Sequence, residues 1–184
     1  MNERPSCEYG SHRVLEPAGA LPQAAWRLDP SPPAREHELC CEVEALCIDS
    51  ASFRQIDEAC GGDTERIAAH VLALVRERGK LHNPVTGSGG MFVGRVREIG
   101  PLAQAEEALA VGDRIASLVS LSLTPLRLER IEAVERETAR IVARGEAILF
   151  AGAPLARLGD DMADEVALAV LDVAGAPAQT RRLA

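Results

Sequence analysis

The chain has 184 residues, a formal charge of −8, 47% apolar side chains and only 3% aromatic ones. That length gives one domain with a core of Val, Leu, Ile and Ala, with room for an appendage. The acidic balance excludes a nucleic-acid or anionic-membrane partner, which needs clustered cations; no apolar run reaches the length of a membrane span; and the N-terminus lacks the apolar stretch of a signal peptide, so a cytoplasmic protein is expected.

Residues 1–37 read as an irregular arm that enters a strand through the surface loop "SPPAREHE". Trp26 is expected to anchor that arm. "ELCCEVEALCI" (Glu38–Ile48) then alternates. Leu39, Cys41, Val43, Ala45 and Cys47 share one face and Glu42 and Glu44 the other, which predicts a half-buried strand. The acidic "QIDEAC" (Gln55–Cys60) reads as a solvated face. "GGDTERIAAHVLALVRERGK" predicts a helix, with Asp63 as N-cap, an apolar stripe of Ile67, Val71, Leu74 and Val75, and Gly79 at the C-cap. His70 lies beside that stripe and is expected to be packed or on the surface.

Further strand-like runs follow: "MFVGRVREI", "DRIASLVSL", "LRLERIEAV" and "AILFA", separated by turn signals at Gly100–Pro101, Val111–Asp113 and Thr124–Pro125. The segment 132–144 suits a helix or a charged strand equally. "GDDMADEVALAVLDVAGAP" (Gly159–Pro177) reads as a capped helix broken near Gly175 and Pro177. The expected class is mainly β (α+β), with several short strands and two or three helices.

Five cysteines (Cys7, Cys40, Cys41, Cys47, Cys60) are an odd number without paired zinc-ligand spacing, so reduced, partly buried thiols are expected. Nineteen arginines stand against a single lysine, Lys80. Arginine stays protonated, whereas lysine can lose its proton, which makes Lys80 beside His82 a candidate acid/base pair. A solvated helix end is the competing explanation for Lys80.

"NPVTGSGGMFVGRVREIG" (Asn83–Gly100) is Gly-rich, yet it does not suit a dinucleotide loop. Such a loop runs strand, G-x-G-x-x-G, helix; here a helix precedes the glycines, a β-patterned run follows, and Phe92 stands where the third glycine belongs. These glycines suit a tight turn and close backbone packing.

"GGMFVGRVREIG", "AVGDRIAS" (Ala110–Ser117) and "VEALCIDSASF" (Val43–Phe53) together resemble three ordered motifs of the medium-chain dehydrogenase/reductases. The resemblance implies a GroES-like distorted β-barrel as catalytic domain. "GSHRVLEPAGALPQAAW", "IDSASFRQI", "RGKLHNPVTGSGGM" and "LDVAGAPAQTRRL" resemble more narrowly the L-erythro-3,5-diaminohexanoate dehydrogenase family, enzymes of anaerobic lysine fermentation. On that resemblance, residues 1–158 form the catalytic domain with its arm, and 159–184 a helical connector toward a Rossmann domain. The chain ends where the first nucleotide-binding strand would begin and carries no Rossmann fingerprint. NAD is therefore expected to be held mainly by a Rossmann domain supplied in cis or in trans, and this chain alone is expected to bind it poorly. A homo-oligomer is the expected assembly.

The same resemblance places Asp49 where zinc members have their first cysteine ligand, Gly90 where they have histidine and Met91 where they have glutamate. The four-cysteine lobe is replaced by "LVSLSLTPLRLERI". One carboxylate without imidazole or thiolate partners does not hold Zn²⁺ tightly, so no zinc is expected. The implied reaction is oxidative deamination of a small diamino acid. Its expected catalytic residues are His82, Lys80 and Asp49, with Ser50, Ser52, Thr86 and Ser88 orienting substrate. Competing roles are a hydrogen-bonded loop histidine for His82 and a helix cap or turn for Asp49. Two other functions share the scaffold: a zinc-independent, quinone-reductase-like oxidoreductase, and a non-enzymatic module that acts through a partner.

Overall fold

The structure, a computed structural model, describes residues 5–103, 109–159 and 161–173, with no side-chain description for residues 169, 172 and 173. Its centre is a six-stranded sheet in the order β6-β7-β3-β4-β5-β8. The strands are β3 (Glu38–Cys47), β4 (Met91–Ile99), β5 (Arg114–Ser117), β6 (Leu126–Glu135), β7 (Arg140–Phe150) and β8 (Leu155–Arg157). All five pairings are antiparallel. Three helices pack on this sheet or beside it: α1 (Ser50–Cys60), α2 (Thr64–Arg78) and α3 (Asp164–Val173). The mainly β, α+β class is therefore as expected. The sheet is not closed among the described residues, since β6 and β8 each have one partner, and the barrel is a distorted one.

β3 is not the half-buried strand its alternation predicts. It lies between β4 and β7 and is covered on both faces. Both ladders shift register between Val43 and Ala45, which marks a β-bulge. One extra residue reverses the in–out assignment of everything after it. Leu39, Cys41 and Val43 thus face the main core with α1 and α2, and so do Leu46 and Ile48. Ala45 and Cys47 turn instead to a second core, where Met91, Val93 and Ala116 meet Ala167 and Leu168 of α3. The bulge lets one strand serve two cores, and the strand ends at Cys47, directly before the candidate site.

α2 forms as its sequence dictates. Asp63 accepts from the amides of Glu65 and Arg66, Gly79 caps the other end at φ 63°, and Ile67, Val71 and Val75 are buried. His70 is exposed. α1, whose second half reads in the sequence only as a solvated acidic face, is a second capped helix. Phe53, Ile56 and Cys60 are buried along one side, and Asp57 pairs with Arg136 across 79 residues at 2.7 Å. The ambiguous segment 132–144 resolves as the end of β6, a turn and the start of β7. β5 is shorter than its run suggested, because Ser117 and Ser120 fold back to accept from the amides of Val119 and Ser122. α3 starts at Asp164; Gly175, Pro177 and the rest of the expected connector lie outside the described residues.

The arm is more ordered than expected. Strands β1 (Val14–Glu16) and β2 (Arg27–Leu28) pair antiparallel. A buried ion network ties them to the sheet: Arg13 donates to both carboxylate oxygens of Glu38, at 2.8 and 2.6 Å, and His12 Nε2 lies 2.6 Å from Glu38 Oε1. The Cys7 amide donates to His12 Nδ1, so Nε2 carries the proton toward Glu38. Trp26 does anchor the arm, stacked under the Arg78 guanidinium at 4.0 Å. No helix among the described residues is long and apolar enough to cross a membrane.

Candidate active site

The site forms where two chain segments meet. Asp49 is the N-cap of α1, and its Oδ1 accepts from the Ser52 amide at 3.1 Å. Ser88, from the loop between α2 and β4, donates its hydroxyl to Asp49 Oδ2. Ser52 Oγ lies 2.9 Å from Ser88 Oγ and also touches Thr86 Oγ1. The carboxylate thereby sits at the edge of a three-hydroxyl cluster: Ser88 bonds it directly, Ser52 lies beside it, and Thr86 is bonded to Ser52 one step out. Burial pushes the Asp49 carboxyl upward, but hydrogen bonds from Ser88 and from Ser52 outweigh it and hold the group below the usual carboxylate range. Asp49 is ionised at neutral pH.

The loop that brings the hydroxyls in is closed on itself. The Asn83 amide donates to the Ser88 carbonyl at 2.9 Å, and the Gly87 amide to the Asn83 carbonyl at 2.8 Å. The Asn83 side chain crosses to α1, donating to Gln55 Oε1 at 2.9 Å and to the Ser52 carbonyl at 3.4 Å. Sequence reading did not single out Asn83 or Gln55. The glycines after Asn83 suit a tight turn, and nothing local marks Asn83 as a buried brace.

The other expected residues fall in different places. His82 adjoins the loop through the Gly87 backbone; burial, then the charges of Arg78 and Lys80, lower its pKa and favour the neutral imidazole. Its Nδ1 is buried and has no hydrogen-bond partner. Lys80 does not join the cluster by any described hydrogen bond. It is fully buried, and its ammonium donates to the Pro22 carbonyl at 2.8 Å and more weakly to that of Gln23. The arm, not the site, receives that charge. It is also not the solvated helix end considered as the alternative. Ser50 is exposed at the first position of α1.

A family described as the L-erythro-3,5-diaminohexanoate dehydrogenase N-terminal domain matches residues 12–159. The chain belongs to that family. It is 50% identical over 177 residues to the L-erythro-3,5-diaminohexanoate dehydrogenase of Acetoanaerobium sticklandii, and 51% identical over 177 residues to that of Fusobacterium nucleatum subsp. nucleatum. Each comparison covers 96% of this chain, which spans about half the length of these curated relatives, 52% and 51% respectively.

Within this N-terminal domain the residues do not fit a tetrahedral zinc site. At Gly90 φ is +104° and a Cβ would collide with the Cys47 carbonyl, so an imidazole ligand at this position has no room. Among the described residues no three of His, Cys, Asp and Glu are grouped for a metal. A dinucleotide cradle does not fit either, because the described strand pairs are all antiparallel and the Gly-rich run leads into β4 rather than a helix.

Proposed function

We propose that this chain is the substrate-side half of an NAD-dependent amino dehydrogenase. The reaction converts L-erythro-3,5-diaminohexanoate, NAD and water to 5-amino-3-oxohexanoate, NADH, ammonium and a proton. A nucleotide-binding half, in cis or in trans, completes the enzyme. When bound there, the nicotinamide supplies the hydride acceptor. The observation that carries this reading is the ionised Asp49 carboxylate, bonded by Ser88 at the edge of a hydroxyl cluster formed by Ser52, Thr86 and Ser88. Family membership and the names of the relatives support it.

An ammonium group needs a negative charge and several acceptors. Asp49 supplies the charge, and the hydroxyl oxygens supply lone pairs in a fixed array. Before hydride can leave the carbon bearing nitrogen, that ammonium must lose a proton. We assign that proton to the His82 imidazole, which its surroundings keep neutral and which adjoins the 83–88 loop. Water then adds to the iminium carbon, and ammonia departs from the tetrahedral adduct. Ser50 is exposed enough to meet substrate but has no cluster contact that assigns it a role.

The test is oxidation of NADH by the chain together with a nucleotide-binding half, with 5-amino-3-oxohexanoate, with and without ammonium. Ammonium-dependent oxidation is expected. Ammonium-independent oxidation with quinones would favour the quinone-reductase-like reading, and inactivity under every condition would favour a module that works by binding a partner.

A further inference from the structure

We propose that Asn83 is a positioning residue, which clamps the 83–88 loop to α1 so that Thr86 meets Ser52 and Ser88 reaches Asp49. The inference rests on the reading of that cluster as the substrate-ammonium site, and it deepens it.

Asn83 is only 3% exposed, yet all its polar groups are engaged. Its backbone closes the loop on Ser88 and Gly87. Its Oδ1 accepts from the Val85 amide at 2.9 Å, which sets the start of the turn toward Thr86. Its Nδ2 reaches 28 residues back to Gln55 and 31 back to Ser52. Ser52 is the residue whose amide binds Asp49 and whose hydroxyl meets both Thr86 and Ser88. The side chain of Asn83 thus joins the two segments at the point where the hydroxyls meet. A loop held only by its own backbone bonds would keep its shape without keeping its position on α1, and hydroxyl–carboxylate contacts fail with displacements well under 1 Å. Asn83 itself touches neither Asp49 nor any reacting atom in this arrangement.

The experiment uses two substitutions, Asn83→Ala and the milder Gln55→Ala, which removes one acceptor from the half-buried face of α1. Asp49 is titrated in this chain by the carboxyl ¹³C shift, which a residue that only adds stability, without placing Ser88 on Asp49, would leave unchanged. In the wild type Asp49 should titrate below the usual carboxylate range. In Asn83→Ala it should move up toward that range, and in Gln55→Ala it should move part of the way. An unchanged Asp49 titration in folded Gln55→Ala and, where it folds, Asn83→Ala overturns the positioning role whatever the kinetics. In the completed enzyme Asn83→Ala should raise KM for the diamino acid about tenfold, equivalent to one lost neutral hydrogen-bond contribution, and leave KM for NAD unchanged. A shifted titration with an unchanged substrate KM upholds the positioning and overturns the ammonium-site reading on which it was built.

Discussion

Asp49 carries two roles that a pair of substitutions separates. As N-cap it satisfies the Ser52 amide; as a carboxylate it accepts from Ser88 and presents a negative charge. Asp49→Ala removes the cap, which costs about 1 kcal/mol, and the hydrogen bond to a charged acceptor, which adds about 1 kcal/mol at this half-buried position. The chain should lose about 2 kcal/mol in all, read as a lower urea midpoint with an unchanged slope. Asp49→Asn keeps an oxygen for the Ser52 amide and an amide group for Ser88, so its stability should stay within about 0.5 kcal/mol of wild type. The lost charge-assisted contact should nevertheless lower kcat/KM for the diamino acid in the completed enzyme about tenfold to a hundredfold. An Asp49→Asn enzyme that is stable and fully active refutes the charge argument. An Asp49→Ala chain as stable as Asp49→Asn refutes the cap argument.

Other consequences follow from the buried charges. Burial alone would raise the Glu38 pKa, but Arg13, His12 and the Arg35 amide bring it down from 4.5 to about 2. A depressed carboxylate stabilises the fold above about pH 4.5 and loses that contribution as pH falls toward about 2; the full swing is about 3 kcal/mol at this buried site. Glu38→Gln should flatten this acid limb in urea titrations from pH 5 to pH 2, and an equally steep limb would contradict the network's role. Lys80 shifts in the same direction for the opposite reason, since here the charged form is disfavoured: burial, helped by the Arg78 charge, lowers it from 10.5 to about 8. The unfolded chain then holds more protons between those values, so stability should rise as pH climbs through that window. Lys80→Met should abolish that rise, and an unchanged alkaline slope would show that Lys80 does not bury its charge against Pro22.

The parts legible in the sequence were those written locally. Asp63, the Ile67–Val75 stripe and Gly79 specify α2 without reference to the rest of the chain. α1 was equally specified by Asp49, Phe53, Ile56 and Cys60, but its acidic second half, which reads as a solvated face, hid the spacing. The bulge in β3 left no local mark, because Val43, Glu44 and Ala45 alternate without interruption; β4 and β7 impose the shift from both sides. Asp49, Ser52, Thr86 and Ser88 were identifiable by residue type and motif, and the structure brings these four together. Lys80 drew notice as the sole lysine, yet its contacts are with the arm, which only the packing of residues 22 and 23 reveals. Asn83 gains its position from partners 28 and 31 residues away, a separation no local pattern encodes.

The most direct measurement is a crystal structure of the chain paired with a nucleotide-binding half and bound to L-erythro-3,5-diaminohexanoate. A substrate ammonium nitrogen should lie about 3 Å from an Asp49 carboxylate oxygen and within reach of the Ser52, Thr86 and Ser88 hydroxyls. A substrate bound elsewhere, with Asp49 still closed onto Ser88 and no ammonium near it, would contradict the account.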